Sequence, residues 1–193
     1  MELCIVTPCS RPQNLEKLRE SIQFDNESFV YWVIIYDTRH MPFVKRYENV
    51  PKIIELECRD DGIVGHQIRN MALNIINYGY IYFLDDDTVL HPHFWNIINN
   101  DFKSEVVIYT FNLLYQNGSV LRGHNPSLRN IDMAQIIFSK KIVKDLRFDV
   151  NNYCGDGIFI ETLYEQNKDN AQFINSVAAY YNWLNKDQPL PRP

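Results

Sequence analysis

The chain has 193 residues, a formal net charge of −5 and a hydrophobic content of 46%, which suits one domain with a sizeable core. Its lack of a cationic excess excludes general nucleic-acid binding but not a local basic pocket for phosphates. No apolar run reaches the roughly 18 residues needed to cross a bilayer, and Met1–Val6 lacks the basic region and cleavage site of a signal peptide, so a cytoplasmic enzyme is expected, in its own cell or in an infected one.

In chain order, Leu3–Thr7 reads as a short strand that runs into the turn-rich Pro8–Pro12. Asn14 is placed to cap a helix through Ser21, with Leu15, Leu18 and Ile22 on one face. Val30–Tyr36 is a β-branched and aromatic strand ending at Asp37, and Lys52–Glu57 is the next strand, followed by an Asp60–Gly62 turn. Gly65–Ile76 has helical spacing, with Ile68, Ala72, Leu73 and Ile76 on its inner stripe, and Tyr80–Leu84 is a buried strand. Alternating strands and helices predict a parallel α/β sheet, whose ligands gather at the carboxyl ends of the strands. Thr7–Arg11, Asp37–Arg39 and Asp85–Asp87 fall at three such ends.

The second half is less regular. His91–Asp101 predicts a helix, Val106–Leu114 a strand, Gln116–Ser119 a hairpin turn with its Asn-Gly pair, and Ala134–Ser139 another strand. A short helical turn over Lys140–Asp145, a helix over Gly155–Gln166 and a Tyr- and Trp-rich helix over Ala171–Leu184 follow, before a frayed Pro189–Pro193. Cys4, Cys9, Cys58 and Cys154 are too widely spaced for a zinc site or a disulfide scaffold.

The three consecutive acids Asp85, Asp86 and Asp87 are the most informative feature. Adjacent carboxylates repel, and hard divalent ions favour their oxygens, so a cation at this strand end is the economical expectation. Strand alternation sends Asp86 to the face opposite Asp85 and Asp87.

These residues support a resemblance. Val6–Leu15, VTPCSRPQNL, resembles the opening of glycosyltransferases of the GT-A fold, among them the large inverting family 2. Gln67–Leu73, QIRNMAL, resembles the Arg-Asn helix before their acidic motif, and Leu84–Asp87 resembles the D-x-D motif itself. The likeness covers about residues 3–165. It implies one GT-A domain over 1–193: a nucleotide-sugar half (1–90), an acceptor half (91–185) and a flexible tail (186–193). It implies a mixed, mainly parallel sheet flanked by helices. The implied activity transfers a sugar from a nucleoside-diphosphate sugar, UDP before GDP, to a hydroxyl of a glycan, glycoprotein or glycolipid. Mn²⁺ or Mg²⁺ is the implied cofactor.

The resemblance also assigns residues. Asp87 and Asp85 hold the metal, with Asp85 also serving the ribose, and Asp86 reaches the ribose or the backbone. Thr7, Pro8, Ser10, Arg11 and Asp37 cradle base and ribose; a carboxylate at Asp37 can accept from a uracil or guanine N–H, or simply close a turn. Arg69 meets the pyrophosphate, whereas Arg11 contacts phosphate or solvent. Asp156, in Tyr153–Gly157, is the general base of an inverting transfer or an N-cap. Trp95, Tyr115, His124, Tyr153 and Trp183 are the aromatic and imidazole side chains available to an acceptor platform. Two rivals stand beside this: a haloacid-dehalogenase-type Mg²⁺ phosphatase with Asp85 as nucleophile, and an inactive nucleotide-sugar-binding module.

Overall fold

A computed structural model describes residues 2–23, 29–39 and 42–186; the expected tail at Pro189–Pro193 lies outside them. Strands β1 (Leu3–Cys9), β2 (Val30–Asp37) and β3 (Ile53–Cys58) pair in parallel, and β4 (Tyr80–Phe83) joins the other side of β1. Near-continuous burial along β1, β2 and β4 fits strands covered on both faces. Helix α1 (Leu15–Ile22) buries Leu15, Leu18 and Ile22 against Leu3, Ile5, Trp32 and Ile34. Helix α2 (His66–Ile75) buries Ile68, Ala72 and Leu73 against Val6, Val33, Ile35, Ile81 and Phe83. The two stripes therefore occupy opposite faces of the same sheet.

No helix covers the described part of the β2–β3 connection. Tyr47 packs on Trp32 and Phe43 on Tyr36. Glu55 of β3 fastens the connection by accepting from the Tyr36 hydroxyl at 2.7 Å and from the Arg46 and Tyr47 amides at 2.8 Å.

After β5 (Val89–Leu90) and α3 (Phe94–Asp101), the chain forms β6 (Ile108–Leu114), β7 (Val120–Leu121), β8 (Ile136–Ser139), α4 (Gly155–Glu165) and β9 (Ala171–Tyr180). The sheet order is β3-β2-β1-β4-β8-β6-β9-β5, with β7 hairpinned onto β6 at the Asn117-Gly118 turn. Six of the nine strands run in one direction, the pairing alternating only where β8, β5 and β7 insert. The sheet is mixed and mainly parallel, as expected.

Two expectations are corrected. Ala171–Leu184 is not a helix: it is β9 followed by a 3₁₀ turn at Trp183–Lys186. Pairing with β6 satisfies a backbone edge that would otherwise be orphaned. The helix expected from His91 starts at Phe94, because Val89 and Leu90 extend to pair with Tyr180 and Ala179.

Candidate active site

The loops after β1 and β4 are joined through Asp86, which is 1% exposed. One carboxylate oxygen accepts from the Ser10 and Arg11 amides, each at 2.6 Å, and from the Ser10 hydroxyl at 3.1 Å. The other accepts from Arg11 Nε at 2.8 Å and from Nη2. The Asn14 amide donates to the Asp86 carbonyl at 3.0 Å, and no side-chain cap bond is made at α1, so the expected capping role of Asn14 is replaced by this cross-link. Of the two expectations for Asp86, reaching the backbone is the one its bonds realise.

Its neighbours face different partners. Asp85, a third exposed, takes Arg69 Nη2 at 2.6 Å. Asp87, nearly buried, takes Arg11 Nη2 at 2.8 Å and lies under the C-terminal turn, whose Leu184 amide donates to the Asp87 carbonyl. Burial pushes the Asp87 carboxyl up to about 6; Arg11 opposes the rise and Asp85 and Asp86 add to it.

A cleft of about 210 Å³ opens between these loops, lined by Pro8, Ser10, Arg11, Asp37, Arg39 and Arg69 among others. Thr7 is not on its wall: it is fully buried and accepts from the Trp32 indole at 2.9 Å. Asp37 is clamped by Arg39, with Nη2 at 2.8 Å. Burial favours the protonated acid, but the Arg39 hydrogen bonds outweigh it and hold Asp37 below its ordinary value. Arg39 also reaches the Gly62 carbonyl at 3.0 Å and lies 3.6 Å from Asp60. Asp60 Oδ2 and Arg69 Nε, both buried, have no hydrogen-bond partner. Two unsatisfied polar atoms of opposite character on residues lining one cleft leave capacity for a polar ligand.

Asp156 stands in the first turn of α4, with Cys154 at the N-cap position, so it is not the cap. Its position follows from its flanking glycines. A Cβ on Gly155 would lie 2.8 Å from the Asp149 carbonyl and from the His66 ring, and one on Gly157 would lie 2.6 Å from the Leu128 carbonyl. Only glycines let α4 start this close to α2. His66, buried and stacked on Phe148, is a packing residue, with burial and Arg69 lowering its basicity.

Asp132 was not singled out by its sequence context. It caps a 3₁₀ turn at Met133–Gln135 through a capping box, its Oδ1 accepting from the Ala134 amide at 2.9 Å. Burial, then the charge of Asp85, raises its carboxyl to about 7; Asp156 adds to the rise, while the Ala134 amide and Arg69 oppose it. Its field also reaches Tyr115 and Tyr181, whose rings meet edge to face at 5.1 Å. Asp132 thus stands among the strand-end acids, the start of α4 and an aromatic pair.

The proposed aromatic platform does not assemble as a unit. Trp95 donates to the Ile22 carbonyl at 2.6 Å and packs on Phe94; Trp183 packs on Tyr180, His124 on Phe173, and Tyr153 is exposed. Tyr115 is the member near Asp132.

No family model matches the sequence, and no curated protein is similar to it. Solved structures are. S. aureus TarS 1–349 superposes with a TM-score of 0.70 at 15% identity over 93% of this chain. The mannosyltransferase PcManGT from Pyrobaculum calidifontis, in complex with GDP-Man and Mn²⁺, gives 0.66 at 10% identity over 96%. Glucosyl-3-phosphoglycerate synthase from Mycobacterium tuberculosis, with Mn²⁺, UDP and glucosyl-3-phosphoglycerate, gives 0.61 at 14% identity over 92%. The matches span 60%, 58% and 71% of those chains, so this chain covers well under two thirds of the first two. The fold is that of the GT-A-type glycosyltransferases.

The three acids should separate in mutagenesis. Asp86→Asn should cost roughly 3–5 kcal/mol in urea unfolding, because it disrupts a buried, multiply bonded ion pair. Asp85→Asn should cost only about 1–2 kcal/mol, since its carboxylate is part exposed. A second prediction concerns Asp132. Its raised folded-state value means that the fold binds its proton more tightly than the unfolded chain does, so stability is lost as pH rises through about 7. Without added divalent cation, Asp132→Asn should raise Tm at pH 8 by about 2–4 °C and leave it unchanged near pH 4; thermal melts across this range check it.

Proposed function

We propose that this chain is a glycosyltransferase that moves a sugar from a nucleoside-diphosphate sugar, UDP before GDP, to an acceptor hydroxyl. The observation that carries the reading is the convergence of three strand ends (Ser10 and Arg11, Asp37 and Arg39, Asp85 and Asp86) and Arg69 around one polar cleft of the GT-A fold, with Asp87 buried behind it on Arg11.

In this reading Asp37 and its Arg39 clamp meet the base: a uracil offers one N–H between two carbonyls, which suits a carboxylate beside a guanidinium. Arg69, whose Nε is unpartnered, meets the pyrophosphate. Pro8, Ser10 and Arg11 form the wall behind the ribose, and Thr7 braces that wall through Trp32 rather than touching the donor. Arg11 acts through Asp86 and Asp87, holding the acids in place.

The residues present fit a hard divalent cation. Asp87 and Asp85 supply carboxylate oxygens, with Asp86 between them adding a third negative charge. Among the described residues no three acids, histidines or cysteines converge as a closed metal cage, so a Mn²⁺ or Mg²⁺ would also need oxygens from the pyrophosphate and water. When bound it would supply Lewis-acid stabilisation of the departing nucleoside diphosphate.

Asp156 is assigned as the base that takes the acceptor proton, which makes the transfer inverting. Asp132 beside it supplies a second carboxylate for the hydroxyls of a glycan, glycoprotein or glycolipid. The phosphatase reading is not retained, because its nucleophile closes the first strand of its fold, whereas Asp85 follows β4.

Titration of a nucleotide-sugar panel with and without Mn²⁺, following binding and nucleoside-diphosphate release, tests the proposal. One donor should bind in a Mn²⁺-dependent way, and Asp87→Ala should weaken it by more than about a hundredfold. Asp156→Asn should leave donor binding intact and lower turnover by roughly two to four orders of magnitude. Binding without turnover of any donor would mark a nucleotide-sugar-binding module. No donor binding, with phosphatase activity lost in Asp85→Asn, would restore the phosphatase.

A further inference from the structure

A second cavity stands apart from the polar cleft. About 460 Å³ in volume, it opens at the opposite edge of the sheet, between β3 and the end of α2, and is lined by Cys4, Tyr31, Val33, Ile54, Ile75 and Tyr78 among others. With α1 and the β2–β3 connection packed on the other face, nothing among the described residues covers this one beside β3. Three side chains on the cavity wall stay in solvent: Tyr78 is 67% exposed, Ile54 46% and Ile75 41%. Exposed apolar side chains around one cavity mark an interaction site more often than chance.

The charge beside it is unusual for a chain of net −5. The segment after β8 carries Lys140, Lys141, Lys144 and Arg147, and two bonds tie it to the same edge. The Lys140 amide donates to the Gly79 carbonyl at 2.8 Å, next to Tyr78, and Arg147 Nη2 donates to Asn74 Oδ1 at 2.8 Å, next to Ile75. Among the described residues none of the four cations forms an ion pair. Acids on the same stretch are Asp145 and Asp149, and Glu2 stands on the cavity wall. Burial and the neighbouring Arg147 hold the Lys140 ammonium below its ordinary value, as uncompensated positive charge does.

We propose that this edge is a docking surface for an anionic lipid bilayer, with Tyr78, Ile75 and Ile54 entering the interface and Lys141, Lys144 and Arg147 meeting its headgroups. Apolar and aromatic side chains beside unpaired cations match the two demands of such a surface, an amphipathic ring at headgroup depth and positive charge against negative lipid. An acidic protein partner would share only the second demand. The surface lies at the amino ends of the parallel strands: along β2 the cavity residues Tyr31 and Val33 precede Asp37 of the polar cleft by six and four positions, roughly 20 and 13 Å. This placement stands whether or not the cleft transfers a sugar.

The test is co-sedimentation of the full chain with vesicles of phosphatidylcholine alone and of an equimolar phosphatidylcholine–phosphatidylglycerol mixture. Capture should be confined to the anionic vesicles and reversed by high salt. Lys141→Ala with Lys144→Ala removes two exposed cations and should weaken capture roughly twentyfold. Tyr78→Ser should weaken it several-fold, with the melting curve of each variant confirming the fold. Equal capture by both vesicles, no capture, or a double-lysine variant that binds like the parent would overturn the proposal. So would a dimer in light scattering that Tyr78→Ser dissociates while vesicles capture nothing, which would assign the surface to a second copy of the chain.

Discussion

The buried carboxylate of Asp86 is the constraint around which the cleft is arranged. It gathers two backbone amides, a hydroxyl and a guanidinium from a loop 75 and 76 positions earlier in the chain. Truncating such a group leaves the Ser10 and Arg11 amides without their acceptor. With Asp86 satisfied internally and Asp87 buried on Arg11, Asp85 is the acid whose carboxylate is a third exposed to a ligand. Three adjacent like charges are stable because each is partnered: Arg69 for Asp85, the β1-loop amides and Arg11 for Asp86, and the same Arg11 for Asp87.

The same economy shapes the acceptor side. Glycines on both sides of Asp156 allow α4 to begin against His66 and Leu128, which sets this acid in the first turn of the helix instead of at its cap. Asp132 arrives from the turn before β8, where burial first, and then the charges of Asp85 and Asp156, raise its carboxyl. Two carboxylates, Asp132 and Asp156, stand on one side of the proposed reaction and the arginines of the cleft on the other. That division is what a transfer from an anionic donor to a neutral hydroxyl requires.

Much of this was legible in the sequence for local reasons. Each of the first four strands carries a β-branched or aromatic run, α1 and α2 show their buried stripes, and the acids follow β4 without a gap. Asn117-Gly118 announced the hairpin because a turn needs a residue at positive φ, which Gly118 adopts at 82°. The unread parts depend on long-range partners. Ala171–Tyr180 has no strict alternation and pairs with β6 through register shifts, so its extended state comes from the edge it covers. Asp132 looks like any turn acid until the fold brings Asp85 and Asp156 near it. Arg39 was visible only as part of a polar strand end; its clamp on Asp37 and approach to Asp60 depend on the neighbouring β3 loop. Asn14 follows the same logic, its capping role yielding to a carbonyl 72 positions away.

The account makes the cleft an incomplete cation site that a nucleoside diphosphate completes. Electron paramagnetic resonance of Mn²⁺ tests this directly, since the sharp signal of the free aquo ion falls as the metal is bound. The chain alone should leave that signal nearly unchanged, UDP alone should lower it modestly, and chain with UDP should remove far more than the two separate effects combined. Strong depletion by the chain alone would mean a closed metal site that the observed side chains do not form, and additive depletion by chain and UDP would contradict a shared site.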